Sequence, residues 1–355
     1  MTDTKADTVT RAAVLVETGK PLELMTLGLP ELKPGQVLVD VAWSGVCHSQ
    51  LNEQKGLRGP DPYVPHTLGH EGSGVVAACG AGVTKVRPGD RVVLTWIKGE
   101  GADVPGTVYR GADGANVNSG AISTFMKRTV ISENRLVPIA DGMPLREAAL
   151  LGCAVPTGAG IVFNNLALKA GETIAVFGIG GVGLSAVMAA SLAGAGAIIA
   201  VDLVPARLDA AKSFGATHIV NAGNEDVKAA IAAATGGRGV DCAIEAAGAV
   251  PAIEAAFAAV RNGGGRCVVA GNPPHGARVT LDPFDFIRGK VLSGTWGGET
   301  KPDRDLPRYA SMYMDGKMPL VKYVGREYGL SQVNEALADL ADGSVLRPLI
   351  NLGKD

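Results

Sequence analysis

Three side chains scattered through the first half of the chain have the chemistry of a metal site: Cys47, His70 and Cys153. Two thiolates and one imidazole suit a borderline-soft cation such as Zn2+, and three protein ligands leave the fourth tetrahedral position open to a substrate oxygen. Their settings are Gly45-Val46-Cys47-His48-Ser49, Gly69-His70-Glu71-Gly72-Ser73-Gly74 and Leu151-Gly152-Cys153. A cysteine is also an ordinary small buried hydrophobe, and that is the better reading of Cys79, Cys242 and Cys267. Residue type alone leaves both readings open for Cys47 and Cys153.

A second constellation is a glycine-rich turn. The β-prone run Thr173-Ile-Ala-Val-Phe leads straight into Gly178-Ile-Gly180-Gly181-Val182-Gly183 and then into a helix-favouring stretch. Gly178 permits the tight turn, Gly180 admits a pyrophosphate close to the backbone, and Gly183 lets helix and strand pack closely. The helix start at Gly181 and Val182 offers free N–H groups and a positive dipole end to the anion. Asp202 ends the next apolar run, where an acid accepts hydrogen bonds from a ribose 2′-OH and repels a 2′-phosphate. That favours NAD over NADP, a preference that Arg207, five residues on, tempers. The plainer alternative is a glycine turn in an unliganded α/β domain.

These residues need a scaffold, and 355 residues exceed one ordinary core, which predicts two domains. With 46% apolar and 19% charged residues the composition is that of a folded globular chain. A net charge of −2 without a basic block argues against nucleic-acid or anionic-membrane partners. The N-terminal Met-Thr-Asp-Thr-Lys-Ala-Asp has no apolar core, so no signal peptide is expected. Five cysteines without a secretory signal point to thiols or metal ligands in a reducing cytoplasm.

Residues up to about 150 are strand-rich. Runs 36–43, 73–78 and 91–96 alternate with Pro-Gly and Gly-Asp turns, suiting a small barrel or folded antiparallel sheet. From about 170 onward, apolar runs at 174–177, 198–201, 218–220, 242–245, 267–270 and 291–293 alternate with helical stretches at 182–193, 205–214, 227–234 and 252–260. That is the pattern of βαβ units around a buried parallel sheet, a doubly wound dinucleotide domain. A helix near 331–341 and a strand at 348–351 close the chain, plausibly back on the first domain. The Gly-rich, polar segment 99–120 is expected to be a lid, a binding loop or disordered.

In order along the chain, Gly69-His70-Glu71-x-x-Gly74-x5-Gly80-x-x-Val83, Pro88-Gly89-Asp90-Arg91-Val92, the turn 178–183, Asp202, the stretch Asp241-Cys-Ala-Ile-Glu245-Ala-Ala-Gly248 and Arg347 resemble the zinc-dependent medium-chain alcohol dehydrogenase family over nearly the whole sequence. The resemblance implies an α/β fold: a doubly wound parallel (Rossmann) coenzyme domain at 155–296 and a β-rich GroES-like catalytic domain from 1–154 with 297–355. It implies that Cys47, His70 and Cys153 hold one catalytic Zn2+, with Glu71 behind the metal as a transient ligand. Ser49 would take the alcohol's proton, His48 and Arg347 would contact the coenzyme pyrophosphate, and Trp96 would wall the substrate pocket. Core packing is the plainer reading of Trp96.

Three departures stand out. No cysteine lies between Cys79 and Cys153, where many relatives carry four for a structural zinc, so only one zinc per chain is expected. Gln50 stands where relatives often have an acid orienting the zinc-bound histidine. Asn52 replaces a histidine at the outer end of the proton relay and cannot act as a base. The implied reaction is hydride transfer between an alcohol and NAD, giving an aldehyde or ketone. Its competitors are a zinc-free NAD(P)H reductase of the same superfamily and a catalytically silent nucleotide-binding protein. Simple, aromatic, polyol and glutathione-adduct alcohols all remain open as substrates. A homodimer or homotetramer is expected, with 278–281 a possible edge strand for pairing between copies.

Overall fold

The computed structural model describes residues 8–354; the polar segment 1–7 lies outside them. Contacts divide the chain into two units, one of Met1–Cys153, Lys301–Gly316 and Leu320–Asp355, the other of Ala154–Thr300 and Lys317–Pro319.

The first unit opens with strands β1 (Val9–Leu15), β2 (Glu23–Gly28) and β3 (Gln36–Gly45) and helix α1 (His48–Gln54). Strands β4 (His66–Thr67), β5 (Glu71–Cys79), β6 (Arg91–Thr95), β7 (Val108–Gly111), β8 (Asn116–Asn118), β9 (Arg128–Ser132) and β10 (Leu136–Pro138) follow, then helix α2 (Leu145–Ala148). Strands β1, β2, β7, β8 and β4 close into a barrel. Strand β3 buries Val37, Val39 and Val41, the period-two face of a strand over a core.

The second unit begins with helix α3 (Ala154–Gly160) and contains strands β11 (Thr173–Phe177), β12 (Ala197–Asp202), β13 (His218–Asn221), β14 (Cys242–Glu245), β15 (Arg266–Val269) and β16 (Val291–Gly294). Between them run helices α4 (Gly181–Leu192), α5 (Pro205–Ser213), α6 (Val227–Thr235), α7 (Val250–Ala259) and α8 (Pro283–Ile287). The sheet order is β13-β12-β11-β14-β15-β16, all parallel. Strand β12 is buried along its whole length because helices cover both faces, which explains its unbroken apolar run. The order reverses at β11, whose carboxyl end is the topological switch point where such sheets bind ligands.

The chain then returns to the first unit as helix α9 (Pro302–Met314), strand β17 (Glu327–Gly329), helix α10 (Val333–Asp342) and strand β18 (Leu349–Asn351). Strands β18 and β17 extend a second sheet of order β10-β6-β5-β3-β18-β17, with β9 also paired to β3.

Two expectations need correction. The sequence reading ends the coenzyme domain at Trp296, but the chain stays with the second unit through Thr300. Asn165 Oδ1 accepts from Thr295 Oγ1 at 2.8 Å, Asn164 Nδ2 donates to the carbonyl of Gly298 at 3.1 Å, and the backbones of Gly160 and Gly298 nearly touch. Nor is 99–120 a long structureless loop. Its second half is the β7–β8 hairpin, turning at Asp113-Gly114 and burying Tyr109 and Val117 in the barrel core. Its first half is held by Glu133, whose carboxylate accepts the N–H groups of Thr84 and Lys85, both at 2.6 Å, and of Ala102 at 2.8 Å. Residues 278–281 form no strand within the chain.

Burial works against the ionised form of Glu133, but the three N–H donors and Lys85 outweigh it and hold its carboxyl below the usual range. A depressed folded pKa contributes stability above the unfolded value, about 4.3, and that contribution is lost as pH falls through the folded value. Replacing Glu133 by Gln is therefore expected to destabilise the protein by on the order of 2 kcal/mol at pH 7. The gap should narrow as pH falls below about 4, as read by denaturant unfolding of both forms at each pH.

Candidate functional site

Strand register assembles the metal cluster. Strand β3 pairs antiparallel with β5, setting Ser44 opposite Gly72, so the residues leaving β3 stand beside those entering β5. Cys47 caps α1 just after β3, and His70 precedes β5. Strand β6 sets Thr95 opposite Glu71, and the Thr95 hydroxyl donates to the carbonyl of Gly152 at 2.7 Å, fixing the backbone that carries Cys153. The glycines beside the two cysteines have a steric cause. A Cβ at Gly45 would lie 2.6 Å from the Glu71 carboxyl carbon, and one at Gly152 would lie 2.7 Å from the Glu71 Cα.

In the result, the ligand atoms of Cys47, His70, Glu71 and Cys153 all lie within 4.8 Å of one another. His70 Nε2 is 3.1 Å from Cys153 Sγ, and Cys47 Sγ is 3.8 Å from Ser49 Oγ. The Trp96 ring stands edge-on to His70 with centroids 6.4 Å apart. His48, on the first turn of α1, is exposed, and Ser49 beside it is half-buried.

Behind the cluster, the buried Glu71 pairs with the buried Arg347. Arg347 is brought there by β18, which sets Leu349 opposite Gly45. Burial pushes the Glu71 carboxyl up, against the pull of Arg347. Burial also opposes the charge of Arg347, but the field of Glu71, Cys47 and Cys153 overcomes it and the guanidinium is held more firmly charged than usual. Cys47 is driven well below the ordinary thiol range by a hydrogen bond from Cys153, with His70 and Arg347 helping against burial. Cys153 is driven well above that range by the same bond, and burial adds to it. The two sulfurs thus behave as a thiolate–thiol pair sharing one proton.

This donor set fits Zn2+. Once a bound metal displaces the proton between the sulfurs, two thiolates and Glu71 set against one guanidinium leave an excess of negative charge that a divalent cation balances, and Glu71 Oε2 is buried without a hydrogen-bond partner. One detail is specific to this chain. If Nε2 of His70 ligates the metal, Nδ1 carries the hydrogen and needs an acceptor. Nδ1 faces the amide of Gln50, whose carbonyl oxygen already accepts the Cys47 N–H at 2.9 Å. An amide has one accepting atom for these two donors, where a carboxylate has two.

The glycine turn of the second unit also has the shape its sequence implies. Gly178 has φ +86°, and a Cβ there would strike the backbone nitrogen of Ala247 at 2.5 Å. A Cβ at Gly183 would lie 1.8 Å from the carbonyl oxygen of Gly178, the close packing that this position requires. At Gly180 a Cβ would meet nothing within 4 Å, so the start of α4 stays open for an anion to approach Gly181 and Val182. Asp202 ends β12 and accepts from the N–H groups of Ile179 at 2.6 Å and Val204 at 2.9 Å; Arg207 Nη1 is 4.0 Å from its carboxylate.

Residues 33–141 match the family model of the alcohol dehydrogenase GroES-like domain, and residues 181–313 match that of the zinc-binding dehydrogenase. A putative alcohol dehydrogenase D of Mycobacterium tuberculosis is 36% identical over 96% of this chain and 99% of its own length. The chain belongs to the zinc-dependent medium-chain dehydrogenase family. Among solved structures, an alcohol dehydrogenase zinc-binding domain protein from Burkholderia ambifaria superposes with a TM-score of 0.90 at 34% identity, covering 97% of this chain and 99% of that one. The benzyl alcohol dehydrogenase of Acinetobacter calcoaceticus gives 0.88 at 32% identity over the same shares. As a member of this family the protein is an oxidoreductase of the alcohol dehydrogenase type, and the family model it matches is that of a zinc-binding dehydrogenase.

For this dehydrogenase, the three expected ligands, Glu71, Ser49 and Trp96 all lie at one cluster. The pairing of Arg347 with Glu71, across 276 residues, had no local signal in the sequence.

Elemental analysis of purified protein should find one tightly held zinc per chain, and Cys47→Ser or Cys153→Ser should lose it. Gln50→Glu restores the second acceptor and should slow zinc loss to a chelator by about tenfold or more, the scale of outer-shell effects on metal affinity.

Proposed function

We propose that the protein is a zinc-dependent, NAD-linked dehydrogenase that interconverts an alcohol with its aldehyde or ketone. The observation that carries this reading is the meeting of Cys47, His70 and Cys153 with Ser49 and Trp96 beside them. A metal ion held by the three ligands supplies a Lewis acid that makes an alcohol hydroxyl acidic at moderate pH, and NAD supplies the hydride acceptor. The rest falls to the chain. Trp96 gives the substrate an apolar wall against His70, and Ser49 takes the alcohol's proton. Asn52 cannot hold that proton as a base, so it leaves to water or by way of His48, the nearest titratable side chain in sequence. The N–H groups at Gly181 and Val182 are assigned to the coenzyme pyrophosphate.

The coenzyme is NAD rather than NADP because Asp202 presents a carboxylate where a 2′-phosphate would lie, with Arg207 offsetting part of that repulsion. The chain works in the cytoplasm, consistent with five free cysteines, and among the described residues no single helix is long and apolar enough to cross a membrane. It self-associates as a homodimer or homotetramer through the open edge of β16, where Phe284, Phe286, Ile287 and Val291 are exposed.

The direct test is NADH formation across a panel of simple, aromatic, polyol and glutathione-adduct alcohols. Activity with at least one, lost together with zinc in Cys47→Ser, is the expected result. Asp202→Gly should raise kcat/KM for NADP relative to NAD, and equal or better NADP use by the unaltered enzyme would contradict the assignment. Alcohol oxidation should favour alkaline pH, and Asn52→His should raise it near neutrality, since acid–base help is worth roughly 10²–10⁴-fold. Profiles of kcat against pH for both forms, with deuterated alcohol to establish that hydride transfer limits the rate, check this. Ser49→Ala should depress oxidation in both backgrounds.

A further inference from the structure

At the opposite end of α1 from Cys47 lies a second cluster, of Glu53, Asp61 and His66, whose ligand atoms also fall within 4.8 Å of one another. Each of the three has its outer atom engaged elsewhere. His66 Nδ1 lies 3.2 Å from the carbonyl oxygen of Thr67, Asp61 Oδ1 accepts the Tyr63 N–H at 2.9 Å, and Glu53 Oε2 lies 3.6 Å from Arg58 Nη1. What remains is one inward atom from each: His66 Nε2, Asp61 Oδ2 and Glu53 Oε1.

The hydrogen count makes this convergence informative. A carbonyl only accepts, so the single N–H of a neutral imidazole is spent on Thr67. Nε2 then faces two carboxylate oxygens, at 2.9 and 3.9 Å, and either a proton on Nε2 shared with Asp61 or a metal ion held among the three side chains satisfies it. A proton can satisfy the nearer oxygen but does not reach both. A metal ion can, because ligands bound at about 2.1 Å stand about 3 Å or slightly more from one another. An imidazole whose other nitrogen is tied to a backbone carbonyl is also the usual form of a metal-bound histidine. The side chains of His66, Asp61 and Glu53 are 8%, 14% and 26% exposed, so the cluster is closed on the His66 side and open to water on the Glu53 side.

We propose that Glu53, Asp61 and His66 form a second divalent-cation site, for a hard or borderline ion with water completing its shell. One imidazole and two carboxylates select differently from the thiolates of the family's zinc site and accept Mn2+. Binding would tie the end of α1 and the 55–65 turn to strand β4.

The test uses the zinc-loaded enzyme and Mn2+ as the probe. Titration followed by the loss of the free Mn2+ electron paramagnetic resonance signal should show one ion bound per chain, with the resident zinc retained and the thermal midpoint raised. Asp61→Asn, Glu53→Gln and His66→Gln should each weaken Mn2+ binding about tenfold or more and reduce the thermal shift, while zinc content stays the same. Glu53→Gln, at the more exposed position, guards against a folding defect at His66. The proposal fails if zinc-loaded protein binds no Mn2+, if Mn2+ enters only as zinc leaves, or if folded variants bind it as tightly as the parent.

Discussion

A carboxylate with no access to water, placed beside two sulfurs, is the constraint around which the first unit is organised. Glu71 is wholly buried, and isolated it would be prohibitive; Arg347 makes it tolerable. Deleting one partner of such a pair typically costs roughly 3–5 kcal/mol, because the other is left buried and uncompensated. The backbone around it is fitted closely to this residue. Gly45 lacks a side chain because the Glu71 carboxyl group occupies its space, and a side chain at Gly152 would meet the Leu94 carbonyl oxygen and the Glu71 Cα. The Ser44 and Thr124 hydroxyls bond to the Glu71 carbonyl, and β18 must pair with β3 for Arg347 to arrive.

The coenzyme turn rests on backbone shape rather than charge. Gly178 and Gly183 are packed against backbone atoms where any side chain would collide, while Gly180 faces open space. Three glycines within six residues therefore have different reasons to be there. Asp202 links the turn to the neighbouring strand by accepting the Ile179 N–H, so the carboxylate assigned to the ribose also helps hold the turn in place. A substitution at Asp202 consequently acts on turn geometry as well as on coenzyme charge.

How much of this could be read from the sequence depends on whether the signal is local. The parallel strands were legible because burial on both faces leaves unbroken apolar runs such as Ile198–Val201 within β12. The glycine turn was legible because strand, turn and helix are contiguous. The hairpin inside 99–120 was not, because its strands are short and only Tyr109, Gly111 and Val117 among their residues are buried, giving no apolar run to detect. The anchoring of that segment by Glu133 is likewise invisible, since an acid that binds three backbone N–H groups looks like any surface acid in a sequence. The chain's stay in the second unit beyond Trp296 depends on amide contacts from Asn164 and Asn165, more than a hundred residues earlier. The cysteines and histidine of the metal cluster were legible by type, but their shared dependence on Glu71 needed the β3–β5 register.

The order in which the ribosome emits these parts has its own consequence. All three thiol and imidazole ligands leave the tunnel before any of the second unit, yet the guanidinium that balances Glu71 emerges only after it. The second unit is almost one contiguous stretch and can form while the chain is still growing, whereas the first cannot complete its interior until strand β18 arrives. During that interval the nascent chain carries exposed thiols and an uncompensated acid. Its thiols are then open to oxidation and to stray metal ions, so final strand insertion is the moment when the buried acid gains its partner and the centre is sealed.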